Sequence, residues 1–366
     1  MLDVALKLLE ELTSNSYEAY IVGGFVRDYL LGIESNDIDI TTNATPKQIK
    51  EIFDDSCLPN EEYGSVTVMK KGIRFEITTY RKEITYENNR KPVEIQYIDN
   101  LLEDLMRRDF TVNALCMNQK GEILDYVNGQ IDLENRVIRT IGDARAKFEE
   151  DSLRILRAIR FSATLDFTLS DEVKEAIKGK KSLLQSLSSY RKKEELDKIF
   201  LSRHMKKGIS LLLELEVDKE LGLPQLERLL EIDRISLMGI WSLLNVPSQF
   251  PFTKKEIDLI HQINEVLELD YTDPYVLYHY GLYVNSVAAE IKQLDLCEIT
   301  KRYDQLAIKN RKDIDIDSQT IMKLLNRGPG EYLRMIYDDL EKEILYGKLP
   351  NQKEAISQYI LNHYNG

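Results

Sequence analysis

The sequence predicts an α/β head, a mixed sheet with helices, followed by an elongated all-α region. Up to about residue 140, short β-rich runs alternate with helical patterns, as in EAYIVG, FVRDYLLG and NDIDITT. From about Asp143 onward, helical periodicity is nearly continuous and strand patterns essentially disappear. Turn-forming residues at 222–224, 247–251, 273–274 and 328–330 divide this second part into helical hairpins.

The composition is that of a globular protein, with 43% hydrophobic and 30% charged residues among 366. The formal net charge of −13 repels polyanions at long range, so any nucleic-acid site must be a local basic surface. Three well-separated cysteines, Cys57, Cys116 and Cys297, indicate a reducing compartment. The opening MLDVALKLLEELTSNS is typical of an amphipathic helix, and prolines and amides interrupt the uncharged stretch 235–253. We therefore expect a cytoplasmic protein without a membrane segment.

The elements of the head follow one another in the sequence. After the N-terminal helix, EAYIVG predicts a strand, FVRDYLLG a helix, NDIDITT a second strand and PKQIKEIF another helix. The run SVTVMKKGIRFEITTY is typical of a hairpin with its turn at Lys70-Lys71-Gly72. The polar stretch from Lys82 to Lys91 has no apolar periodicity, so we expect it to be mobile.

Two glycines lie where the first strand meets its helix. Gly23 and Gly24 lack Cβ atoms, so the backbone N–H groups of this turn can approach an anion such as a phosphate. Arg27 follows about one turn later. A tight strand-to-helix turn without a ligand is the alternative interpretation.

Two carboxylates project together from the second strand. Asp37 and Asp39 face one side, and Ile38 and Ile40 face the other. A divalent cation that prefers oxygen ligands would neutralise the pair, and Glu76 in RFEITTY is a third candidate if its strand is a neighbour. Acids on the solvent face of a strand are the alternative. With the glycine turn and its arginine, the pair suits a nucleotidyl transfer that uses Mg²⁺ and no organic cofactor.

Five segments occur in a characteristic order: GGFVRD, DIDITTNATP, RRDFTVNAL, DYVNGQIDL and EEDSLRILRAIRF. This series resembles the motifs of class II tRNA nucleotidyltransferases, relatives of bacterial poly(A) polymerases, and implies a polymerase β-like nucleotidyltransferase head. Two motifs depart from the family pattern. Tyr126 and Asn128 stand where a proline and a glycine are usual, and Tyr190 in YRKKEEL stands where an acid is usual.

The resemblance also implies roles for particular residues. It implies metal binding by Asp37 and Asp39. It implies nucleotide contacts by Gly24, Arg27, Arg108, Asp151, Arg154, Arg157 and Arg160, to which the glycine turn adds Gly23. Asp109 and Asn113 are expected to organise the RRDFTVNA turn and the sugar pocket, with a purely structural cap as the alternative.

The segment EDSLR is predicted to read the base of the nucleotide. Asp151 and Arg154 are three residues apart in a predicted helix and would share a face. Cytosine and adenine each present an amino donor beside a ring-nitrogen acceptor, so Asp151 would accept from the first and Arg154 would donate to the second. The protein would then replace a nucleic-acid template. An amphipathic helix with surface ion pairs is the alternative.

The resemblance implies that the protein adds CCA to the 3′ end of tRNA from CTP and ATP, releasing pyrophosphate. An enzyme that adds only the terminal A is one alternative; a poly(A) polymerase and an inactive RNA-binding scaffold are the others. The loop from Arg81 to Pro92 is not shortened, which argues against an enzyme that adds only CC. Either a monomer or a homodimer fits this reading.

Four regions are expected along the chain: a catalytic head at 1–140, a base-recognising neck at 141–205, a body at 206–300 and a tRNA-binding tail at 301–366. The family implies that the acceptor and T arms of tRNA are recognised by shape. The clearest basic segment, KGKKSLLQSLSSYRKK, could bind phosphates or form a solvated helix face. Its basic residues are Lys178, Lys180, Lys181, Arg191, Lys192 and Lys193.

Overall fold

This computed structural model describes residues 1–57, 64–87 and 91–364, and the chain divides into two compact units, Met1–Gly222 and Leu223–Gly366. The first unit contains a mixed sheet with helices, and the described residues of the second form helices only. The predicted order of an α/β head before an all-α region is confirmed. None of the helices in the described ranges is long and apolar enough to cross a membrane.

The strands of the first unit are β1 (Ala19–Val22), β2 (Asp39–Thr42), β3 (Ser65–Lys70), β4 (Ile73–Thr79), β5 (Arg81–Glu87), β6 (Lys91–Tyr97), β7 (Cys116–Met117), β8 (Ile123–Leu124), β9 (Val137–Ile138) and β10 (Thr168–Leu169). Six of them form one sheet in the order β3-β4-β2-β1-β7-β8. Strands β2 and β4 run parallel, and the other neighbours are antiparallel. The sheet is therefore mixed, as predicted.

The helices of the first unit are α1 (Leu2–Ser14), α2 (Gly24–Leu30), α3 (Pro46–Phe53), α4 (Leu101–Met106), α5 (Gly129–Glu134), α6 (Ala144–Glu150), α7 (Leu153–Leu165), α8 (Asp171–Lys180), α9 (Ser189–Phe200), α10 (Met205–Glu214) and α11 (Val217–Leu221). Helix α1 buries Ala5, Leu8, Leu9 and Leu12 on one face, which confirms the amphipathic N-terminal helix.

The hairpin predicted around Lys70-Lys71-Gly72 is confirmed. Lys70 pairs with Ile73 across β3 and β4, so Lys71 and Gly72 form a two-residue loop. Both have positive φ, 51° and 73°, as this tight loop requires. The connection brings Glu76 of β4 into the sheet beside β2, because β4 pairs with both strands.

Strands β5 and β6 cover most of the stretch 82–91, for which no strand was predicted; its mobility stays a prediction. The two strands pair antiparallel, with Arg81 opposite Tyr97, as a separate two-stranded sheet. Val93, Ile95 and Tyr97 alternate with polar residues in the sequence, which was the available signal for the second strand. Residues 88–90 lie outside the described residues.

The helices of the second unit are α12 (Leu237–Leu244), α13 (Lys254–Leu267), α14 (Pro274–Lys292), α15 (Leu296–Asp304), α16 (Ser318–Leu325), α17 (Tyr332–Leu345) and α18 (Lys353–Tyr364). Helices end or begin beside each predicted break, whereas the breaks between α14 and α15, between α15 and α16 and between α17 and α18 were not predicted. Asp273, for example, caps α14 by accepting from the Tyr275 N–H at 2.8 Å, and Pro274 starts the helix. Gly281, with φ 74°, kinks α14.

Helix α5 packs tightly on the backbone that follows α4. A Cβ added at Gly129 would lie 2.3 Å from the Thr111 carbonyl oxygen, so only glycine fits here. The Thr111 hydroxyl also donates to Asp132 at 2.7 Å, and Arg139 forms an ion pair with Asp132. Contacts with α5 thus stabilise the segment 107–117, which ends in strand β7 of the sheet.

We predict that Gly129→Ala destabilises the first unit by about 1–3 kcal/mol, because the added methyl group displaces the Thr111 backbone. The single tryptophan, Trp241, lies in the second unit, so hydrogen exchange of residues 109–117 is the suitable measurement. Gly179→Ala is the control, since a Cβ there meets nothing within 4 Å. Equal protection in both variants would contradict this packing argument.

Candidate active site

A cavity of about 520 Å³ in the first unit brings together most of the predicted site residues. The predicted residues that line it are Gly23, Gly24, Arg27, Asp37, Asp39, Arg108, Asp109, Asn113, Asp151, Arg154 and Arg157. Four residues that were not predicted for the nucleotide site complete the lining: Arg107, Leu153, Phe161 and Arg191, of which Arg191 was predicted only as part of the basic segment. Glu76 and Arg160 do not belong to this lining, but each contacts it through a neighbour described below.

The glycine turn lies at the end of β1, as predicted. Gly23 has φ 83°, and its N–H donates to the Leu115 carbonyl at 3.2 Å. A Cβ added at Gly23 would lie 3.6 Å from Arg108 Nη1, and one added at Gly24 would lie 3.6 Å from Arg27 Nη2. Two guanidinium groups therefore lie beside a turn with little side-chain bulk, which leaves space for a ligand.

The three candidate carboxylates lie on the exposed face of the sheet. Strand β2 begins at Asp39, and Asp37 precedes it, while Ile38 and Ile40 are buried as the alternation predicted. Asp39 lies opposite Glu76 in the parallel register of β2 and β4. Burial raises the pKa of Asp39, and Asp37 and Glu76 raise it further, to about 6. The carboxylates repel one another, which is the condition that a bound cation relieves.

Asp109 and Asn113 connect two of the arginines. The buried carboxylate of Asp109 accepts from Arg157 Nε at 2.7 Å and from Asn113 Nδ2 at 3.2 Å. Asn113 Oδ1 in turn accepts from Arg27 Nη1 at 2.5 Å. Burial raises the pKa of Asp109, but the Arg157 guanidinium and the hydrogen bonds from Asn113 and the Phe110 N–H together hold that pKa below its usual range. Asp109 also accepts from the Phe110 N–H at 2.8 Å, so it caps the local turn as well.

Asp104 organises the arginine pair at the other side of the cavity. Its fully buried side chain forms ion pairs with Arg107 at 2.9 Å and with Arg108 at 3.4 Å. It also accepts from the Arg81 backbone N–H at 3.2 Å, at the start of β5. Asp104 was not predicted as a site residue. Its spacing of three residues from Arg107 and four from Arg108 is typical of ion pairs along a helix and could have indicated this role.

The predicted helix across EDSLR is interrupted, which corrects the expectation that Asp151 and Arg154 share a helical face. Helix α6 ends at Glu150, Asp151 is extended (φ −145°, ψ 103°) and α7 starts at Leu153. The Asp151 side chain accepts from the Leu153 N–H at 3.0 Å, a local turn that competes with a continuous helix. Both side chains still line the cavity.

Arg154 is buried and held by three acceptors. Its Nη1 donates to Glu150 Oε2 at 2.6 Å and to the Lys147 carbonyl at 3.1 Å, and its Nη2 donates to the Arg107 carbonyl at 2.9 Å. These bonds use three of the five N–H groups of a guanidinium. The orientation of Arg154 is therefore fixed before any nucleotide is bound.

Arg160 lies behind the lining and contacts it through Phe161. Its Nε forms an ion pair with Glu195 of α9 at 3.1 Å, and its guanidinium carbon lies 4.2 Å from the centre of the Phe161 ring. Arg191, on the same helix as Glu195, lines the cavity. The position of Arg191 in the motif-like segment YRKKEEL was the sequence feature that could have predicted it as a site residue. Tyr190, which departs from the family pattern in that segment, is 66% exposed.

The departure at Asn128 has a backbone explanation. Asn128 adopts the left-handed conformation, φ 61° and ψ 31°, which glycine and asparagine tolerate best. The Asp125 carboxylate accepts from the N–H groups of Val127, Gly129 and Gln130 at 2.9–3.1 Å and closes this turn. The turn is therefore formed without the usual glycine.

Acids of the fold neutralise much of the basic segment 178–193. Lys178 pairs with Glu175, Lys180 with Glu149, Lys181 with Glu216 and Lys193 with Asp197. All four acids lie outside the segment, and Glu149 and Glu216 are so distant in sequence that only the tertiary fold assigns them. The segment is accordingly less positive than its composition indicates.

Three regions of the chain match protein-family models. Residues 19–139 match the poly A polymerase head domain, and residues 245–360 match tRNA nucleotidyltransferase domain 2. Residues 166–230 match a model described as "Probable RNA and SrmB- binding site of polymerase A".

Curated relatives match over nearly the whole chain. The CCA-adding enzyme of Bacillus pumilus is 33% identical, with 97% of this chain and 96% of the relative covered. The CCA-adding enzyme of Bacillus subtilis is 34% identical, with 97% of each covered.

Solved structures share the fold. The CCA-adding enzyme of Bacillus stearothermophilus, solved in complex with CTP, has a TM-score of 0.85 at 26% identity over 98% of this chain and 96% of that one. The CCA-adding enzyme of Thermotoga maritima, complexed with tRNA, has a TM-score of 0.71 at 22% identity over 98% and 94% of the two chains. The motif series, the mixed sheet and these whole-chain matches agree: the chain belongs to the CCA-adding enzymes, a family of RNA nucleotidyltransferases.

Proposed function

We propose that this protein adds CCA to the 3′ end of tRNA from CTP and ATP and releases pyrophosphate. The observation that carries this proposal is the single cavity that joins Asp37 and Asp39, several arginines, and the pair Asp151 and Arg154. Relatives named CCA-adding enzymes that match the whole chain support it. The terminal hydroxyl of the RNA would attack the α-phosphate of the nucleotide, and pyrophosphate would leave.

Nucleotidyltransferases of this family use divalent metal ions, and we assign the ion here as Mg²⁺. The described residues contain no group of three or more His, Cys, Asp or Glu side chains arranged to hold a metal ion. Mg²⁺ commonly takes one or two carboxylates and completes its shell with water and substrate phosphates, so Asp37 and Asp39 fit it, with Glu76 beside them. When bound, the ion polarises the phosphate and favours the ionised form of the attacking hydroxyl.

The arginines of the cavity would bind the triphosphate. Arg27 and Arg108 lie beside the glycine turn, and Arg157 is fixed on Asp109. Guanidinium groups bind phosphate oxygens in pairs and retain their charge at all relevant pH values. Asp109 and Asn113, which hold two of these arginines, would also shape the sugar pocket. Arg160 would act on the nucleotide only through its neighbours.

Arg154 and Asp151 would select the base. The two N–H groups that Arg154 does not use in its three bonds are available to the ring nitrogen of cytosine or adenine. Uracil and guanine present a donor at that position, which would leave a buried donor without an acceptor. A preset Arg154 would therefore discriminate without a nucleic-acid template.

The division into head (1–140), neck (141–205), body (206–300) and tail (301–366) is part of the proposal, with the tail binding the acceptor and T arms of tRNA. The three cysteines, each free of a disulfide, fit a cytoplasmic location.

The experiment that tests this function supplies Mg²⁺, CTP and ATP, separately and together, to tRNA ending at the discriminator base, at C and at CC. We expect completion of CCA on the shortest tRNA. Addition of A to the CC end alone would identify an A-adding enzyme, and no incorporation on any of the three would favour an inactive scaffold.

Asp39→Asn should abolish incorporation, because it removes one carboxylate of the metal pair, and should leave tRNA affinity within a few-fold. It should also stabilise the metal-free protein above pH 6. A carboxyl with a raised pKa binds its proton more tightly in the folded state, so between about pH 4 and pH 6 folding stability falls as pH rises. Since the Asp39 residue is exposed, we expect the variant to gain about 1 kcal/mol or less in the free energy of unfolding.

The measurement for Asp39→Asn is urea unfolding at pH 4 to 8 in the presence of a chelator, followed by circular dichroism. The increase in the free energy of unfolding over the wild type should vanish at pH 4 and on addition of Mg²⁺. Asp99→Asn, also at an exposed aspartate, is the control and should show no pH-dependent gain. A variant that still incorporates nucleotides would overturn the metal assignment.

Arg154→Ala should relax base selection by about tenfold to hundredfold against UTP and GTP. The kcat/KM ratios of the four nucleotides on tRNA ending in CC measure this effect. Arg154→Lys should relax selection too, because lysine keeps the charge but loses the planar fork. Unchanged ratios in both variants, with the fold intact by circular dichroism, would contradict the pairing model.

A further inference from the structure

Phe161 lies on α7 at the wall of the cavity, one residue after Arg160 and four after Arg157. The side chain is only partly buried, and it contacts Phe110 edge-on, with ring centres 5.8 Å apart and an interplanar angle of 79°. The chemistry proposed above does not involve a phenyl ring. We therefore looked to the residues around Phe161 for the role of its ring.

Three guanidinium groups surround the Phe161 ring. The guanidinium carbon of Arg160 lies 4.2 Å from the ring centre, that of Arg27 lies 5.2 Å away and that of Arg157 lies 5.3 Å away. All three distances fall within the range in which the electron-rich face of an aromatic ring attracts a cation. Arg27 comes from α2, next to the glycine turn, so the ring joins two separate parts of the site.

Two of the three arginines donate a hydrogen bond, and the third forms an ion pair. Arg27 donates to Asn113, Arg157 donates to Asp109, and Arg160 pairs with Glu195. The guanidinium groups are thus held by an oxygen atom as well as by the ring.

The charges around the ring repel one another. Burial lowers the pKa of Arg160, and the nearby Arg157 and Arg27 lower it further, whereas Glu195 raises it. The electron-rich face of the ring offsets part of this repulsion. A side chain without such a face would leave this repulsion offset only by the carboxylates of Asp109 and Glu195.

We propose that Phe161 is a positioning residue for the nucleotide triphosphate, because its ring holds Arg27 and Arg157 toward the cavity before the nucleotide arrives. The inference rests on the proposed function, which makes the triphosphate the ligand. An aliphatic side chain of similar size would fill the space but would not attract the arginines. The arginines would then be held by their hydrogen bonds alone, so a larger part of their ordering would have to accompany nucleotide binding, which weakens binding.

The test replaces Phe161 with 4-fluoro-, 3,5-difluoro- and 3,4,5-trifluorophenylalanine, which keep the shape of the ring and progressively withdraw electron density from its face. The Kd of CTP, measured by calorimetry without tRNA, should rise with each step, by about threefold to tenfold over the series. Phe161→Tyr should bind CTP like the wild type, and Phe161→Leu should bind like the trifluoro variant. The unfolding temperature should fall only slightly across the fluorinated series, because the shape and packing of the ring are kept.

The matched control is the same fluorinated series at Phe167, which is buried and does not line the cavity. There we expect a constant Kd. A constant Kd across the Phe161 series would show that the ring only fills space and would overturn the proposal. A failure of the proposed function looks different: the wild type would bind CTP, with the graded effect at Phe161, but would not extend tRNA. A wild type that binds no CTP would overturn both.

Discussion

The buried carboxylate of Asp109 is the constraint on which the rest of the site depends. It binds Arg157 of α7 directly and holds Arg27 of α2 through Asn113. A buried carboxylate is stable only when it is paired, so the sheet side and the helix side of the cavity must come together for the fold to tolerate it. The arginines that a triphosphate requires are thereby ordered by folding itself.

A second buried carboxylate repeats this arrangement with a different set of partners. Asp104 holds Arg107 and Arg108, and the Arg107 carbonyl in turn accepts from Arg154. Among the residues that the structure describes, Asp37 and Asp39 form no ion pair of this kind. The acids that organise arginines are buried, and the acids proposed for the metal ion lie on the exposed face of the sheet. Position in the fold thus assigns different tasks to chemically identical groups.

The order of strands and helices, the carboxylate pair and most of the cavity lining could be predicted from the sequence, because they follow from local periodicity and contiguous motifs. The hairpin β5–β6 was not predicted, because its first strand lies in a polar, charged stretch, although Val93, Ile95 and Tyr97 alternate with polar residues in the second. The break at Asp151 depends on one side chain capping its own turn. Phe161 was missed because its neighbour Arg27 is distant in sequence, and contacts of that kind arise only from the tertiary fold.

All residues that line the cavity fall between Gly23 and Arg191, and thus within the first of the two compact units. The second unit contributes none of the residues in this lining. The residues proposed to bind and select the nucleotide are therefore encoded in one contiguous part of the gene, and substitutions after Gly222 leave the composition of this lining unchanged.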